Sequence, residues 1–193
     1  MTSLSKIKGH LKTINKHKAE VTKLCFRCHL YKQGFLHDLS KYSWTELKTG
    51  FQYYQGFRSP IDAQKEDIGY SLSWLHHKGR NKHHWEYWLD NGPHGVHPVR
   101  MPVNYVIEMF CDRVAASMIY QKEKYTDRSA LDYYLQGRDR IMIHPDTDKL
   151  ILHLLTTLAD HGLDQTIDYI RNTVKKKGYQ IINNGHYKPK NMY

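Results

Sequence analysis

Phe35-Leu36-His37-Asp38-Leu39-Ser40-Lys41-Tyr42 sets a histidine beside an aspartate, behind two apolar residues, with a lysine three positions beyond the carboxylate. An imidazole and a carboxylate are donors that a divalent cation accepts, the first borderline in softness and the second hard. Two donors do not fill a coordination sphere, so the pair has meaning only if the chain supplies more. It does: His10 and His17 precede the doublet, and His76, His77, His83, His84 and Asp112 follow it.

Upstream, residues 4–31 read as one long amphipathic helix. Ile7, His10, Leu11, Ile14, His17, Val21, Leu24 and Cys28 recur at three- and four-residue steps, with lysines on the other side. Both histidines therefore fall on the apolar face. Gly34 is expected to close this helix or its connection, and a second helix beginning near Phe35 is expected to carry His37 and Asp38. Asp38 could then ligate from one side or bridge two ions.

Downstream, Ser43-Trp44-Thr45-Glu46 has the spacing of a capping box and is expected to open a helix to about Tyr54. A turn over Gly56 to Pro60 leads into a helix from about Ile61 to His77, with Ile61, Ile68, Leu72, Leu75 and His76 on one face. Next comes His76-His77-Lys78-Gly79-Arg80-Asn81-Lys82-His83-His84-Trp85-Glu86-Tyr87-Trp88, four histidines within nine residues. Gly79 and Asn81 let the chain fold back there and return the second histidine pair to the first. The neighbouring tryptophans need burial, which argues against a loose polar tract. Residues 90–95 read as a turn, with His94 and His97 outside the site.

Pro102 suits a first helical turn, and 103–120 form a strong amphipathic helix with the stripe Val103, Val106, Ile107, Phe110, Val114 and Met118. Asp112 stands at the edge of that stripe beside Glu108, where a carboxylate is costly unless paired or metal-bound. A short helix is expected over 129–135, then helices over 147–160 and 163–176, as packing support. No stretch reads as a central sheet, a P-loop or a dinucleotide fingerprint. The predicted fold is all-α: one helical domain over 1–174, with a metal-site core at about 10–120, helical support at 129–174 and a basic, flexible tail over 175–193.

The 193 residues suffice for one such domain, and the formal charge of +10 favours an anionic partner. Cys25, Cys28 and Cys111 are odd in number and lie in apolar periodic segments, which implies buried thiols in a reducing compartment. Cys25 and Cys28 spell a CxxC without a second pair to complete a thiolate zinc site. Without an apolar run of membrane-spanning length or a signal peptide, the expected location is cytoplasmic, with no membrane partner.

The order His17, His37-Asp38, Lys41 and a remote Asp112 resembles the HD superfamily of metal-dependent phosphohydrolases, helical bundles marked by a histidine, a His-Asp doublet and a distant aspartate. The added histidines resemble its two-metal branches. Here the doublet is followed by Leu-Ser-Lys in place of the commoner small residue, glycine and lysine. Phe35 to Lys41, His76 to Trp88 and Glu108-Met-Phe-Cys-Asp112 also resemble, more closely, a family of small uncharacterised bacterial and phage proteins. The HD resemblance implies one or two divalent ions (Mn, Fe, Co, Zn or Mg). His17, His37, Asp38 and Asp112 would hold one, and Asp38, His77 and His84 the other, with His10, His76 and His83 as alternative ligands. It implies hydrolysis of a small phosphorylated substrate, most plausibly a nucleotide, with Lys41 and Arg80 neutralising phosphate charge. Two other readings fit the same residues: a di-iron oxygenase of HD type, and a non-enzymatic module binding nucleic acid or protein.

Overall fold

The computed structural model describes residues 3–183 of the chain. Its core is made by three helices whose periodicity is plain in the sequence: α1 (Ser3–Arg27), α6 (Val103–Gln121) and α8 (Pro145–Tyr169). Between α1 and α6 lie α2 (Tyr31–Leu36), α3 (Trp44–Tyr53), α4 (Pro60–Ile68), α5 (Leu72–Lys78) and a hairpin of β1 (Leu89–Gly92) with β2 (Gly95–Pro98). Helix α7 (Ser129–Gly137) stands between α6 and α8. Together they form a single-domain, largely helical bundle.

Helix α6 is the central element. Val106, Ile107, Phe110, Cys111 and Val114 are buried against Val21, Leu24 and Cys28 of α1 and against Leu150, Ile151, Leu154, Leu155 and Leu158 of α8. Cys25, Cys28 and Cys111 are free, buried thiols in this layer. Helix α8 bends at Gly162, whose φ of 78° and ψ of 171° suit only glycine. The two helices expected over 147–160 and 163–176 are therefore present as the two arms of α8, which meet at this break. A short π-helical stretch, Ile170–Val174, continues the second arm.

Residues 175–183, which the sequence assigns to a flexible tail, are folded. The Tyr179 hydroxyl donates to the Met101 carbonyl at 2.5 Å, Ile181 and Ile182 pack on the core, and Lys175 Nζ donates to the His29 carbonyl. The remainder of that tail, 184–193, lies outside the described residues.

Three local expectations are corrected. Helix α1 ends at Arg27, where His29 turns to a φ of 56°, and Gly34 lies inside α2 instead of closing a helix. A side chain at position 34 would press on Cys25 and Phe26, so glycine is what lets α2 lie close against α1. The helix expected over 61–77 breaks at Gly69 (φ 82°), and Ser71 caps a new start by accepting from the Trp74 amide. That break rotates α5, so Leu72 and Leu75 are exposed while Ser73 and His77 are buried. The hairpin, placed in the sequence only as a turn, pairs Asp90 with His97 and Asn91 with Val96 on the surface.

Candidate metal centre

The His37-Asp38 doublet is not on a helix. It is the turn that ends α2: His37 is extended, and Asp38 takes the left-handed conformation (φ 54°, ψ 26°), which aspartate tolerates better than most residues. A single 3-10 turn, Leu39–Tyr42, follows. Lys18 of α1 donates to the carbonyls of Phe35 and His37 at 2.9 and 2.7 Å, fixing the doublet against the first helix. The turn leaves Asp38 2 % exposed at the centre of a ring of histidines.

Its two oxygens face different partners. Oδ1 is 3.2 Å from His77 Nε2 and 3.5 Å from His83 Nε2. Oδ2 is 3.2 Å from His37 Nε2, 3.8 Å from His17 Nε2 and 2.6 Å from Lys41 Nζ. Asp112 Oδ1 closes that second side at 2.9 Å from His17 Nε2 and 3.4 Å from His37 Nε2. Two groups that share Asp38 could hold a divalent ion, His17, His37, Asp38 and Asp112, and Asp38, His77, His83 and His84; a third set of donors, His37, His83 and Glu108, lies on the far side of two of these rings. Donors on a tetrahedral ion with bonds of about 2.0–2.1 Å stand about 3.3 Å apart; the pairs here lie 2.9 to 3.8 Å apart, and all donors of a group lie within 4.8 Å of one another.

The fit is tested by what the buried donors lack. Nε2 of His37, His83 and His84 and Oδ1 of Asp38 have no hydrogen-bond partner although each is sealed from solvent. Buried polar atoms are otherwise almost always paired. The four come from two segments, the doublet and the turn after α5, and their convergence fits a cation position.

The outward nitrogens of the same rings are held by carboxylates. Glu108 Oε1 lies 2.9 Å from His37 Nδ1 and 3.2 Å from His83 Nδ1, so one oxygen orients two rings. Glu46 takes His76 Nδ1 at 2.7 Å and His77 Nδ1 at 2.9 Å. A carboxylate on Nδ1 keeps the proton there and leaves Nε2 free to ligate. Ser43 makes no capping bond with its side chain, and Glu46, expected in a capping box, is spent on these two histidines. Asn81 Nδ2 donates to Ser40 Oγ and to the His77 carbonyl, both at 2.8 Å, bracing the turn that returns His83 and His84.

The electrostatics keep the carboxylates ionised. Burial works against the charged forms of Asp38 and Asp112, but the surrounding histidines and, for Asp38, Lys41 hold both carboxyls well below their usual range. Burial and the nearby His83 and His77 push His84 well below the ordinary histidine value. Burial also opposes the charge on Lys41, yet Asp38 and Asp112 outweigh it and raise its pKa.

Among the residues predicted from sequence, His17, His37, Asp38, His77, His84 and Asp112 come together, and His83, read as an alternative, joins them. His76 turns aside to Glu46. His10 belongs to neither group; it packs edge-on against Phe51 and Tyr54. Arg80 is exposed and donates to the carbonyl of His76, one turn back on its own chain. Sequence reasoning misses Glu46 and Glu108 as site residues. The four-residue step from Glu108 to Asp112 on a buried helix is the signal for one; the capping-box pattern conceals the other.

Fold and donor set define a largely helical protein with clustered histidines and carboxylates able to hold a divalent metal. Residues 6–157 match a family of unknown function, DUF5662, and the chain belongs to that family. The matched span takes in every ligand from His17 to Asp112. No curated protein and no solved structure matches it. Among the described residues, no helix is long and apolar enough to cross a membrane.

Proposed function

We propose that the protein is a metal-dependent phosphohydrolase of HD type, acting on a small phosphorylated substrate with two ions that share Asp38. The observation that carries this reading is the convergence of unpartnered, buried Nε2 and Oδ1 atoms on Asp38 from the doublet and the α5 turn, with each Asp38 oxygen serving a different group. The bound ions supply Lewis acidity and a water of lowered pKa. Imidazole-rich donor sets favour Zn, Fe, Co or Mn over Mg.

The chain's own part follows from its geometry. Lys41 is charged, touches Asp38 Oδ2 at 2.6 Å and also lines an open cleft, so its ammonium faces both the ion position and any phosphate oxygen beside it. Glu108 and Glu46 keep the imidazoles aligned, so that little reorganisation accompanies charge development. Arg80, expected as the second phosphate contact, is absent from the cleft wall; Arg58 is the arginine there.

The test is a screen of nucleoside mono-, di- and triphosphates, cyclic nucleotides and a generic phosphodiester with manganese, cobalt, iron, zinc or magnesium. Hydrolysis that depends on metal and fails in His37→Ala supports the reading. Flat rates together with dioxygen uptake by the iron form would replace it with oxygenase chemistry, and inactivity with tight DNA binding would replace it with a binding module.

A further inference from the structure

The cleft beside Lys41 has a composition unlike that of the metal centre. Its free volume is about 100 Å³, below that of drug-sized ligand sites and on the scale of one small ring. Its walls are mainly His10, Ile14, Tyr54, Pro60, Ile61 and Tyr120, while Lys41 and Glu46 connect it to the centre and Arg58 also borders it. Charge is therefore concentrated away from an apolar and aromatic wall.

Two glycines make that wall possible. A side chain at Gly50 would collide with His10 Nε2, and one at Gly9 with the Tyr54 ring. Each ring thus lies close on the backbone of the opposing helix, with centroids 5.9 Å apart and planes at 65°. Thr13 Oγ1 and the Tyr54 hydroxyl, 3.2 Å apart, satisfy each other and offer little to a charged ligand. Burial and the charge of Lys41 push the His10 pKa down to about 4, so at neutral pH His10 is an uncharged ring. Arg58 is held by Gln55 Oε1 at 2.8 Å and Glu66 Oε2 at 2.6 Å, which neutralises it.

We propose that this cleft receives the organic part of a phosphate monoester and is built for a planar, largely apolar ring, packed between Tyr54, Tyr120 and Ile61 with its phosphate at the Lys41 end. The placement of the phosphate rests on the hydrolase reading; the ring subsite rests on the cleft alone. A planar ring matches aromatic and branched walls in shape and needs no charge from them. The ammonium at the inner end matches one anionic group, and the cleft's continuity with the metal centre through Lys41 fixes which end of the ligand enters first.

The experiment is calorimetric binding of phenylphosphonate, methylphosphonate and the neutral nucleoside adenosine to the manganese-loaded full chain. Phenylphosphonate is expected to bind at least about tenfold more tightly than methylphosphonate, since burying a ring contributes more than burying a methyl group. Ile61→Trp, which fills the cleft, should erase that preference without changing manganese content or methylphosphonate affinity. Tyr120→Ala, at an exposed position, should reduce it and guards against misfolding of the first variant. Equal affinity for the two phosphonates, or a preference that survives both variants, overturns the ring subsite. If neither phosphonate binds, the phosphate placement falls with the hydrolase reading, and adenosine decides the subsite: binding lost in Ile61→Trp supports it, and no binding to the wild-type chain overturns it.

Discussion

At the scale of the residue, the informative fact is that three of the candidate imidazole ligands, His37, His77 and His83, have carboxylates behind them. Glu108 serves two imidazoles through one oxygen, so Glu108→Gln keeps an acceptor but loses the charge that fixes both tautomers. Metal affinity should fall about 10- to 100-fold, read by competition with a chelator, with the fold intact by circular dichroism. Lys41→Met should leave bound metal unchanged and lower turnover of any accepted phosphoester about 10²- to 10³-fold, the scale of one lost electrostatic contact. His10 carries a pH dependence of its own. Its pKa is about 4 in the folded protein against an ordinary value of 6.5, so below pH 6.5 the unfolded chain binds the extra proton and stability falls, the loss reaching its full size below pH 4. The shift corresponds to about 3 kcal/mol, and urea midpoints of the metal-free protein between pH 4 and 7 should fall less steeply in His10→Gln than in the wild type. Candidate ligands are legible in the sequence because His17 and Asp112 at apolar stripes are expensive without a role and the doublet and the histidine pairs stand out as clusters. The choice among adjacent histidines is not, since His76 and His77 differ only by a rotation that the break at Gly69 decides.

Elements are legible where one period governs a long stretch. The stripes of α1, α6 and α8 specify their burial directly, because each packs one continuous face on the others. Short segments mislead where a local signal meets a tertiary demand. Ser43 and Glu46 have capping spacing, yet two imidazoles compete for the same carboxylate and win. The doublet has helical neighbours, yet a left-handed Asp38 aims its oxygens at two sides, which a helix would not. Gly162 marks the other place where one residue decides an element. Ala at this position must adopt a backbone conformation reserved for glycine, so Gly162→Ala should destabilise the protein by about 1–3 kcal/mol in urea unfolding while leaving metal stoichiometry unchanged.

For the whole molecule, the donors tie together α1, the α2 turn, the α5 turn and α6, segments that meet around the site through polar groups more than through apolar ones. An ion bound only by the folded state adds stability by mass action, about 4 kcal/mol at a thousandfold excess over its dissociation constant. Removal by chelator should therefore lower the calorimetric melting temperature by many degrees, and Asp38→Ala, which removes the donor both groups share, should make that temperature far less sensitive to metal. The overall arrangement is readable from the order of His17, His37-Asp38 and Asp112, because a pocket with buried carboxylates needs remote segments brought to one point. The cleft is not readable: it arises where Gly9 and Gly50 let two helices close over each other's rings, and neither glycine forms part of any motif.

Every donor lies between His17 and Asp112, while the residues that cover the other face of α6, from Leu150 to Leu158, and the Tyr179 latch onto Met101 come later in the chain. Synthesis runs from the N-terminus, so the donor set leaves the ribosome complete before the second half of the core exists. A half-made chain that has captured its ion has α1 and α6 joined by donors as well as by their apolar faces and waits only for its greasy lid; one made in metal-starved conditions has the apolar contacts of α1 alone. Metal supply during synthesis should then change how much protein survives its own manufacture, read as the yield of folded chain from cells grown with and without added metal.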